Sequence, residues 1–280
     1  MLKLDRESRE VPVFPQDPRE PYWVNSHYGM AGTLRAYAGY RPRVRAVVPH
    51  GVYYSKYSCD ETDAVPAVLA YPEFLDGDWG GLEVIPAASP ILYALAMAPG
   101  RERTGTVVFP DHSTDVVAQE MDWGEMALAV NDLPGPRTVC LYWKDVLAGR
   151  ARYFDRCTLV TCGHPNDPAF MDRLVELLTA HERAAVNGAG GPGLYAAAAG
   201  MPVSLTGPPP KHVIDERAIG HFGPSIADGA DHVERVLAAM RSGDVAVQRE
   251  CADYYLRREA FKTPEGLHED LAHAEELSRG

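Results

Sequence analysis

After residue 104 the apolar residues gather into short runs separated by stretches of helical spacing. Runs at 106–109, 138–143, 158–162, 184–186 and 202–205 predict strands. Helical spacing covers 115–130, a short piece to about residue 151, 167–179, and a brief segment behind a glycine turn. Near-continuous apolar strands are covered on both faces. Their alternation with helices predicts a parallel, doubly wound sheet. The first half is less regular. Runs at 44–48, 67–71 and 82–85 predict three short strands, Ser26 can cap a helix to residue 38, and Pro90 opens a helix over 91–97. Residues 1–22 place Pro12, Pro15, Pro18 and Pro21 among charges and predict an extended arm. In the tail, Val233, Val236, Leu237 and Met240 share one helical face of 230–241. A second helix is predicted over 245–257, and Thr263-Pro264-Glu265 starts a last one to about 277.

The polar, turn-rich stretch Pro99-Gly100-Arg101-Glu102-Arg103-Thr104-Gly105 divides these halves. The expected organisation is an N-terminal lobe over 1–103, a second lobe over 104–244, and C-terminal helices over 245–280 that pack back on the first. A chain of 280 residues that is 46% hydrophobic builds a real core. A net charge of −12 argues against a nucleic-acid partner, which needs a basic face. No apolar run approaches the roughly 20 residues of a membrane span. The charged start Met1-Leu2-Lys3-Leu4-Asp5-Arg6-Glu7 lacks a signal-peptide core, so a cytoplasmic protein without a transmembrane segment is expected. Five cysteines (Cys59, Cys140, Cys157, Cys162, Cys251), with no C-x-x-C pair, read as reduced packing residues and not as a zinc site.

In doubly wound sheets ligands bind beyond the carboxyl ends of the strands. Here those ends carry Pro49-His50-Gly51, Pro110-Asp111-His112-Ser113-Thr114, Lys144-Asp145, Gly163-His164-Pro165-Asn166 and Asn187-Gly188-Ala189-Gly190-Gly191. Each has two readings. Ser113 and Thr114 either cap the next helix or offer hydroxyls to phosphate. His164 either shapes a turn or donates to a phosphate or nucleobase. Lys144 is either a solvated helix residue or part of the site. His50 is either structural or a general base. The segment Asn187-Gly188-Ala189-Gly190-Gly191-Pro192-Gly193-Leu194-Tyr195 removes side chains where a helix begins, which either only lets that helix pack closely on the sheet or lets bare N–H groups face an anion.

Other chemistries lack their residues. There is no G-x-x-x-x-G-K-[ST] loop, no G-x-S-x-G elbow, no early G-x-G-x-x-G and no H-E-x-x-H. The acidic stretches Asp60-Glu61-Thr62-Asp63 and Asp76-Gly77-Asp78 read as solvated loops.

The second half resembles the donor half of GT-B glycosyltransferases, through Thr106 to Thr114 and through Asn187 to Pro202 with its closing Gly200-Met201-Pro202. A narrower resemblance is to GT-B enzymes of bacterial capsular and surface polysaccharide biosynthesis. His27-Tyr28-Gly29, Pro49-His50-Gly51, Cys140-Leu141-Tyr142-Trp143 and Phe261-Lys262-Thr263-Pro264-Glu265 carry it. His164-Pro165 is similar to the His-Pro motif of bacterial sialyltransferases. The resemblance implies two Rossmann-like lobes, the N-terminal one abbreviated, and metal-independent transfer from a nucleotide-sugar co-substrate to a glycan or small-molecule acceptor, with no other cofactor. It implies His50, Asp111 and His112 as catalytic candidates. Ser113, Thr114, Lys144, Gly163, His164, Asn187, Gly188, Gly190, Gly191 and Tyr195 fall on the donor side, and Tyr28, Gly51 and Lys56 on the acceptor side. A sugar-nucleotide epimerase and a non-catalytic accessory protein of a biosynthetic complex remain alternatives. The sequence does not specify an oligomeric state.

Overall fold

The computed structural model describes residues 1–17, 27–49, 65–70, 81–113, 117–214 and 229–279. Its strands are β1 (Leu2–Leu4), β2 (Ala46–Val47), β3 (Ala67–Ala70), β4 (Glu83–Pro86), β5 (Thr106–Phe109), β6 (Val117–Glu120), β7 (Arg137–Cys140), β8 (Thr158–Thr161), β9 (Arg183–Val186), β10 (Val203–Leu205) and β11 (Lys211–Ile214). Its helices are α1 (Met30–Ala38), α2 (Pro90–Met97), α3 (Trp123–Asn131), α4 (Trp143–Leu147), α5 (Phe170–Ala180), α6 (Gly191–Ala198), α7 (Ala230–Arg241), α8 (Val245–Tyr255) and α9 (Pro264–Leu277).

β5 is buried along its whole length and centres the larger sheet. It pairs in parallel with β7 on one side and β9 on the other. β8 extends the sheet beyond β7, and β10 extends it beyond β9, both parallel. The chain thus winds outward from β5 through β7 and β8, returns, and winds outward the other way through β9 and β10. This is the doubly wound sheet expected, and its switch point lies between β5 and β9. The alternation of side chains explains why both faces are covered. Val107, Phe109, Ala184 and Val186 face Leu174, Leu177 and Leu178 of α5 and Leu194 of α6. Val108, Val139 and Ala185 face Trp123, Met126 and Val130 of α3 and Val146 of α4. Each large side chain fully buried this way stabilises the fold by about 1.5–3 kcal/mol.

The structure changes three expectations. The arm at 1–22 begins with a strand: β1 lies antiparallel on the outer edge of β8, with Leu2 opposite Thr161. The ammonium of Met1 on Glu176 (2.9 Å) fastens its start. The helix expected over 115–130 starts only at Trp123, where Asp122 Oδ1 accepts from the N–H groups of Gly124 (2.8 Å) and Glu125 (2.9 Å). The residues before it form β6, which pairs antiparallel with β11 as a separate ribbon, Glu120 opposite Lys211. The strand expected over 138–143 ends at Cys140, and Trp143 opens α4.

β2, β3 and β4 form a second, parallel three-stranded sheet in sequence order. One buried apolar cluster runs from Val48, Leu69 and Ile85 through α1, α2 and α5 to the larger sheet. α8 joins the larger sheet, where Gln248, wholly buried, accepts from Val203 N–H (2.9 Å) and donates to Val203 O (2.7 Å). α9 is the helix that packs back on α1. Its lead-in Lys262 carbonyl accepts from Tyr37 OH (3.0 Å), and His268 Nδ1 lies 3.0 Å from Ala38 O. Cys140, Cys157, Cys162 and Cys251 are free thiols, and Cys59 lies outside the described residues. Among the described residues no helix is long and apolar enough to cross a membrane.

Candidate functional site

At the switch point the loop after β5 meets the loop after β9. Asn187, 5% exposed, joins them. Its Oδ1 accepts from Asp111 N–H at 2.7 Å, and its Nδ2 donates to Met121 Sδ (3.3 Å) and Pro208 O (3.0 Å). Both amide hydrogens are therefore committed inside the protein. Asn187, expected on the donor side, holds the two loops together.

The Asp111 carboxylate lies over the glycine turn. Its Oδ1 accepts from His112 N–H at 3.0 Å. A Cβ on Gly188 would stand 2.6 Å from Asp111 Oδ2, so glycine here leaves room for a carboxylate. A Cβ on Gly190 would be 3.8 Å from Oδ1. Gly191 is confined from below, where a Cβ would meet the Tyr195 ring at 2.9 Å. Tyr195 is buried, and burial pushes its hydroxyl pKa up. Tyr195, expected among the donor-binding residues, supports the turn from inside the core. Phe109, Asp111, His112, Gly188, Gly190 and Gly191 help to line a cavity of about 60 Å³. That is room for roughly two waters at about 30 Å³ each. α6 starts at this cavity; Pro192 has no N–H and Gly193 N–H donates to Gly190 O (3.3 Å), which leaves Gly191 N–H as the first donor of the helix start.

A row of partly exposed rings continues along the same edge. His112 stacks on Tyr142, ring centres 3.9 Å apart at 21°. The Tyr142 hydroxyl is 3.4 Å from that of Tyr28, whose ring lies 4.7 Å from Phe170. Tyr28 has φ 57°, a left-handed backbone that side chains rarely adopt. Trp143 lies 4.8 Å from the His164 ring, and Lys144 Nζ sits 5.5 Å from the Trp143 ring. His164 Nδ1 faces Asn166 N–H at 3.1 Å and must accept, which leaves the proton of the neutral ring on Nε2. Gly163 has φ 99°, and a Cβ there would meet Arg173 Nη1 at 2.8 Å, so packing accounts for this glycine. Ser113 Oγ accepts from Gln119 N–H at 2.9 Å and ties its loop to β6. The predicted residues after β5, β7, β8 and β9 thus lie along one edge of the sheet, with Tyr28 against it. His50, Gly51, Lys56 and Thr114 lie outside the described residues.

Asp145 was named from the sequence only as Lys144's neighbour at a strand end and was given no role. It is 4% exposed, and its Oδ2 has no hydrogen-bond partner. Burial pushes its pKa up to about 7; the Arg150 charge opposes the shift and the Asp111 charge adds to it. The available signal was an aspartate set inside the apolar run Leu141-Tyr142-Trp143 and Val146-Leu147.

A larger cavity of about 450 Å³ lies between α1, α2 and α5, lined in part by Thr33, Met97, Arg101 and Glu176. None of the predicted residues lines it. Thr33 hydroxyl donates to Gly29 O (3.1 Å), and Glu176 is held by Met1 (2.9 Å) and Arg101 (3.0 Å). Its size exceeds that of the switch-point cavity, but these polar groups are satisfied within the protein. The Asp111 carboxylate, the His112 imidazole and the glycine turn at the start of α6 make the switch point the candidate site.

The chain is therefore a mixed α/β protein with a doubly wound, mostly parallel sheet and a polar site at its switch point. No family model matches it, and no curated protein matches it in sequence. Among solved structures it is similar to spinosyn rhamnosyltransferase SpnG, at 16% identity over 74% of this chain and 51% of that one, with a TM-score of 0.32. The same enzyme complexed with spinosyn aglycone is similar at 16% identity over 63% and 47%, with a TM-score of 0.30. A UDP-glucosyltransferase from Polygonum tinctorium capable of glucosylating indoxyl is similar at 14% identity over 76% and 53%, with a TM-score of 0.33. The chain spans about half the length of each (51%, 47% and 53%). TM-scores of 0.30 to 0.33 are too low to establish a shared overall fold.

Proposed function

We propose that the protein transfers a glycosyl group from a nucleotide-sugar donor to a glycan or small-molecule acceptor at the switch-point edge. The observation that supports this most is the Asp111 carboxylate set over the glycine turn at the start of α6. The Gly191 N–H at that helix start is the backbone donor the turn offers a phosphate. A carboxylate accepts hydrogen bonds from sugar hydroxyls, and the half-exposed rings of His112, Tyr142 and Trp143 offer flat surfaces for a sugar or base. In the proposed step an acceptor hydroxyl oxygen bonds to the anomeric carbon. The bond from that carbon to the donor phosphate oxygen breaks, and the nucleotide leaves with the electron pair. The hydroxyl proton passes to a base, for which His50, Asp111 and His112 are the candidates. The Gly191 N–H and side-chain donors stabilise the leaving phosphate, so the proposal invokes no metal and no cofactor beyond the donor. We place the reaction in a reducing compartment, the cytoplasm, with a polysaccharide as one acceptor class.

The test is a panel of UDP-, GDP-, dTDP- and CMP-sugars with the intact protein. Melting temperature is followed first, then glycosylated product by mass spectrometry with a glycan pool. One nucleotide class should stabilise the fold, and product should need both donor and acceptor. No stabilisation by any donor at millimolar concentration overturns the reading.

A further inference from the structure

Tyr142 opens α4 with its backbone alone. Its carbonyl accepts from Asp145 N–H (3.0 Å) and Val146 N–H (3.1 Å), and Leu141 N–H, one residue back, donates to Val160 O (2.9 Å). The main chain here is pinned both to β8 and to its own helix, and the side chain makes no cap bond. The ring instead lies nearly flat on the His112 imidazole, centres 3.9 Å apart at 21°. Its hydroxyl is 3.4 Å from that of Tyr28. Tyr28 is anchored in turn, its N–H donating to Pro165 O and its ring lying against Phe170.

The imidazole held this way has a defined tautomer. His112 Nδ1 lies 3.3 Å from Ser113 O. A carbonyl only accepts, so Nδ1 carries the proton and the lone pair of the neutral ring is on Nε2. His164, on the same edge, is wired the other way: its Nδ1 accepts from Asn166 N–H (3.1 Å), and its proton is on Nε2. The edge thus carries one imidazole whose Nε2 accepts and one whose Nε2 donates. Of the two, His112 is the one that lines the switch-point cavity. A His112 ring that turned about its side-chain bonds would lose the Ser113 carbonyl and with it the reason to keep the proton on Nδ1. Stacking on a pinned tyrosine opposes that turn.

We propose that Tyr142 is a positioning residue for His112: its stack keeps the proton on Nδ1, so that Nε2 is the atom that accepts from a ligand hydroxyl at the cavity. The ligand in this proposal rests on the glycosyl-transfer reading, whereas the tautomer and its dependence on Tyr142 do not.

The test reads the rings directly. The intact, ligand-free protein is isotope-labelled at its histidine nitrogens, and two-bond nitrogen–proton correlation spectra are taken at pH 8, above the usual imidazole range. His112→Gln and His164→Gln identify the two sets of signals. His112 should show its proton on Nδ1, and His164 on Nε2. Tyr142→Phe keeps a flat ring and should leave the His112 pattern in place. Tyr142→Leu fills the space without one and should average the pattern between both tautomers. A His112 proton on Nε2, read on the wild-type fold, overturns the proposal, and so does an unchanged His112 pattern in Tyr142→Leu. The ligand is tested separately, with the donor panel and glycan pool of the transfer assay. Tyr142→Leu should lower kcat about tenfold with the donor KM unchanged, as for a misplaced group at a reacting centre. A loss confined to KM makes Tyr142 a ligand contact and overturns the positioning role. If the tautomers are as assigned and no UDP-, GDP-, dTDP- or CMP-sugar binds or reacts, the glycosyl-transfer reading falls and with it the ligand hydroxyl, while the hold of Tyr142 on His112 stands.

Discussion

Asn187 holds Asp111 in place: its Oδ1 accepts the Asp111 N–H at 2.7 Å while its amide donates to Met121 Sδ and Pro208 O. Three segments distant in sequence are fixed by one side chain. Asn187→Ala leaves the Asp111 N–H and the Pro208 carbonyl without this partner. Destabilisation of about 1–3 kcal/mol is expected, the cost of stranded buried polar groups. Urea denaturation measures it. Asn187→Asp keeps the acceptor but loses both donors and adds charge beside Asp111, and should be at least as harmful. An unchanged denaturation midpoint in Asn187→Ala would show that the residue does not brace the loops.

Gly188 should tolerate no side chain without moving Asp111. Alanine there would place Cβ 2.6 Å from Asp111 Oδ2 and 3.3 Å from Pro210 Cγ. The carboxylate end can swing away, so the fold should survive with a loss of about 1–3 kcal/mol, as for other overpacked sites. Transfer activity should fall by more than tenfold. Gly193→Ala is the control, because its Cβ would meet Val186 at an ordinary 3.4 Å. Equal activity in the two variants would separate Asp111 from the function.

The doubly wound sheet was legible because β5 and its parallel neighbours are buried on both faces, so apolar runs alone located them. The starts of α2 and α9 were legible because Pro90 and Thr263-Pro264 act locally, Thr263 Oγ1 accepting from Gly266 N–H at 3.2 Å. β1 was not, since three residues in a charged arm are too few to display a period, and their pairing with β8 is tertiary. β6 was absorbed into a predicted helix because Val117-Ala118-Gln119-Glu120 also suits helical spacing; its partner β11 lies far along the chain. The polar strand ends that meet along one edge of the sheet were legible as a set. The separate duties of Asn187, Tyr195 and Asp145 were not, because they depend on which side chains are buried and what they touch.

Asp145 should make the protein less stable as pH rises through mildly acidic values. The unfolded chain releases this proton near the usual 3.8, and the folded chain near 7. Between those values the folded state binds a proton that the unfolded state lacks, so stability falls with rising pH and levels off above the window. At about 1.36 kcal/mol per pKa unit the full loss is of order 4 kcal/mol. Asp145→Asn removes this dependence. It should be more stable than wild type at pH 8 and close to it at pH 4. Chemical denaturation of both proteins at half-unit intervals measures the difference. Parallel curves would show that Asp145 ionises normally in the fold.

α9 tests whether the two sheets unfold together. Leu267, Leu271 and Ala274 of this helix are fully buried in the cluster that also holds Leu34, Leu69, Ile91, Val107 and Val186. Tyr40, itself in the cluster, donates its OH to Glu275 Oε2 at 2.5 Å, and at the surface His273 Nε2 pairs with Glu83 at 2.6 Å, tying α9 to the residue after α1's cap and to β4. The exposed His273–Glu83 pair contributes little by itself. The apolar face carries the attachment. Leu271→Ala should cost about 2–5 kcal/mol through lost burial and the cavity left behind. Because the cluster is continuous, that loss should shift one cooperative transition to lower urea, followed identically by tryptophan fluorescence and far-ultraviolet circular dichroism. With Trp23 and Trp79 replaced by phenylalanine, Trp123 and Trp143 report the larger sheet, so in that background a fluorescence midpoint left in place while the dichroism midpoint falls would show that α9 and the smaller sheet unfold as a separate unit.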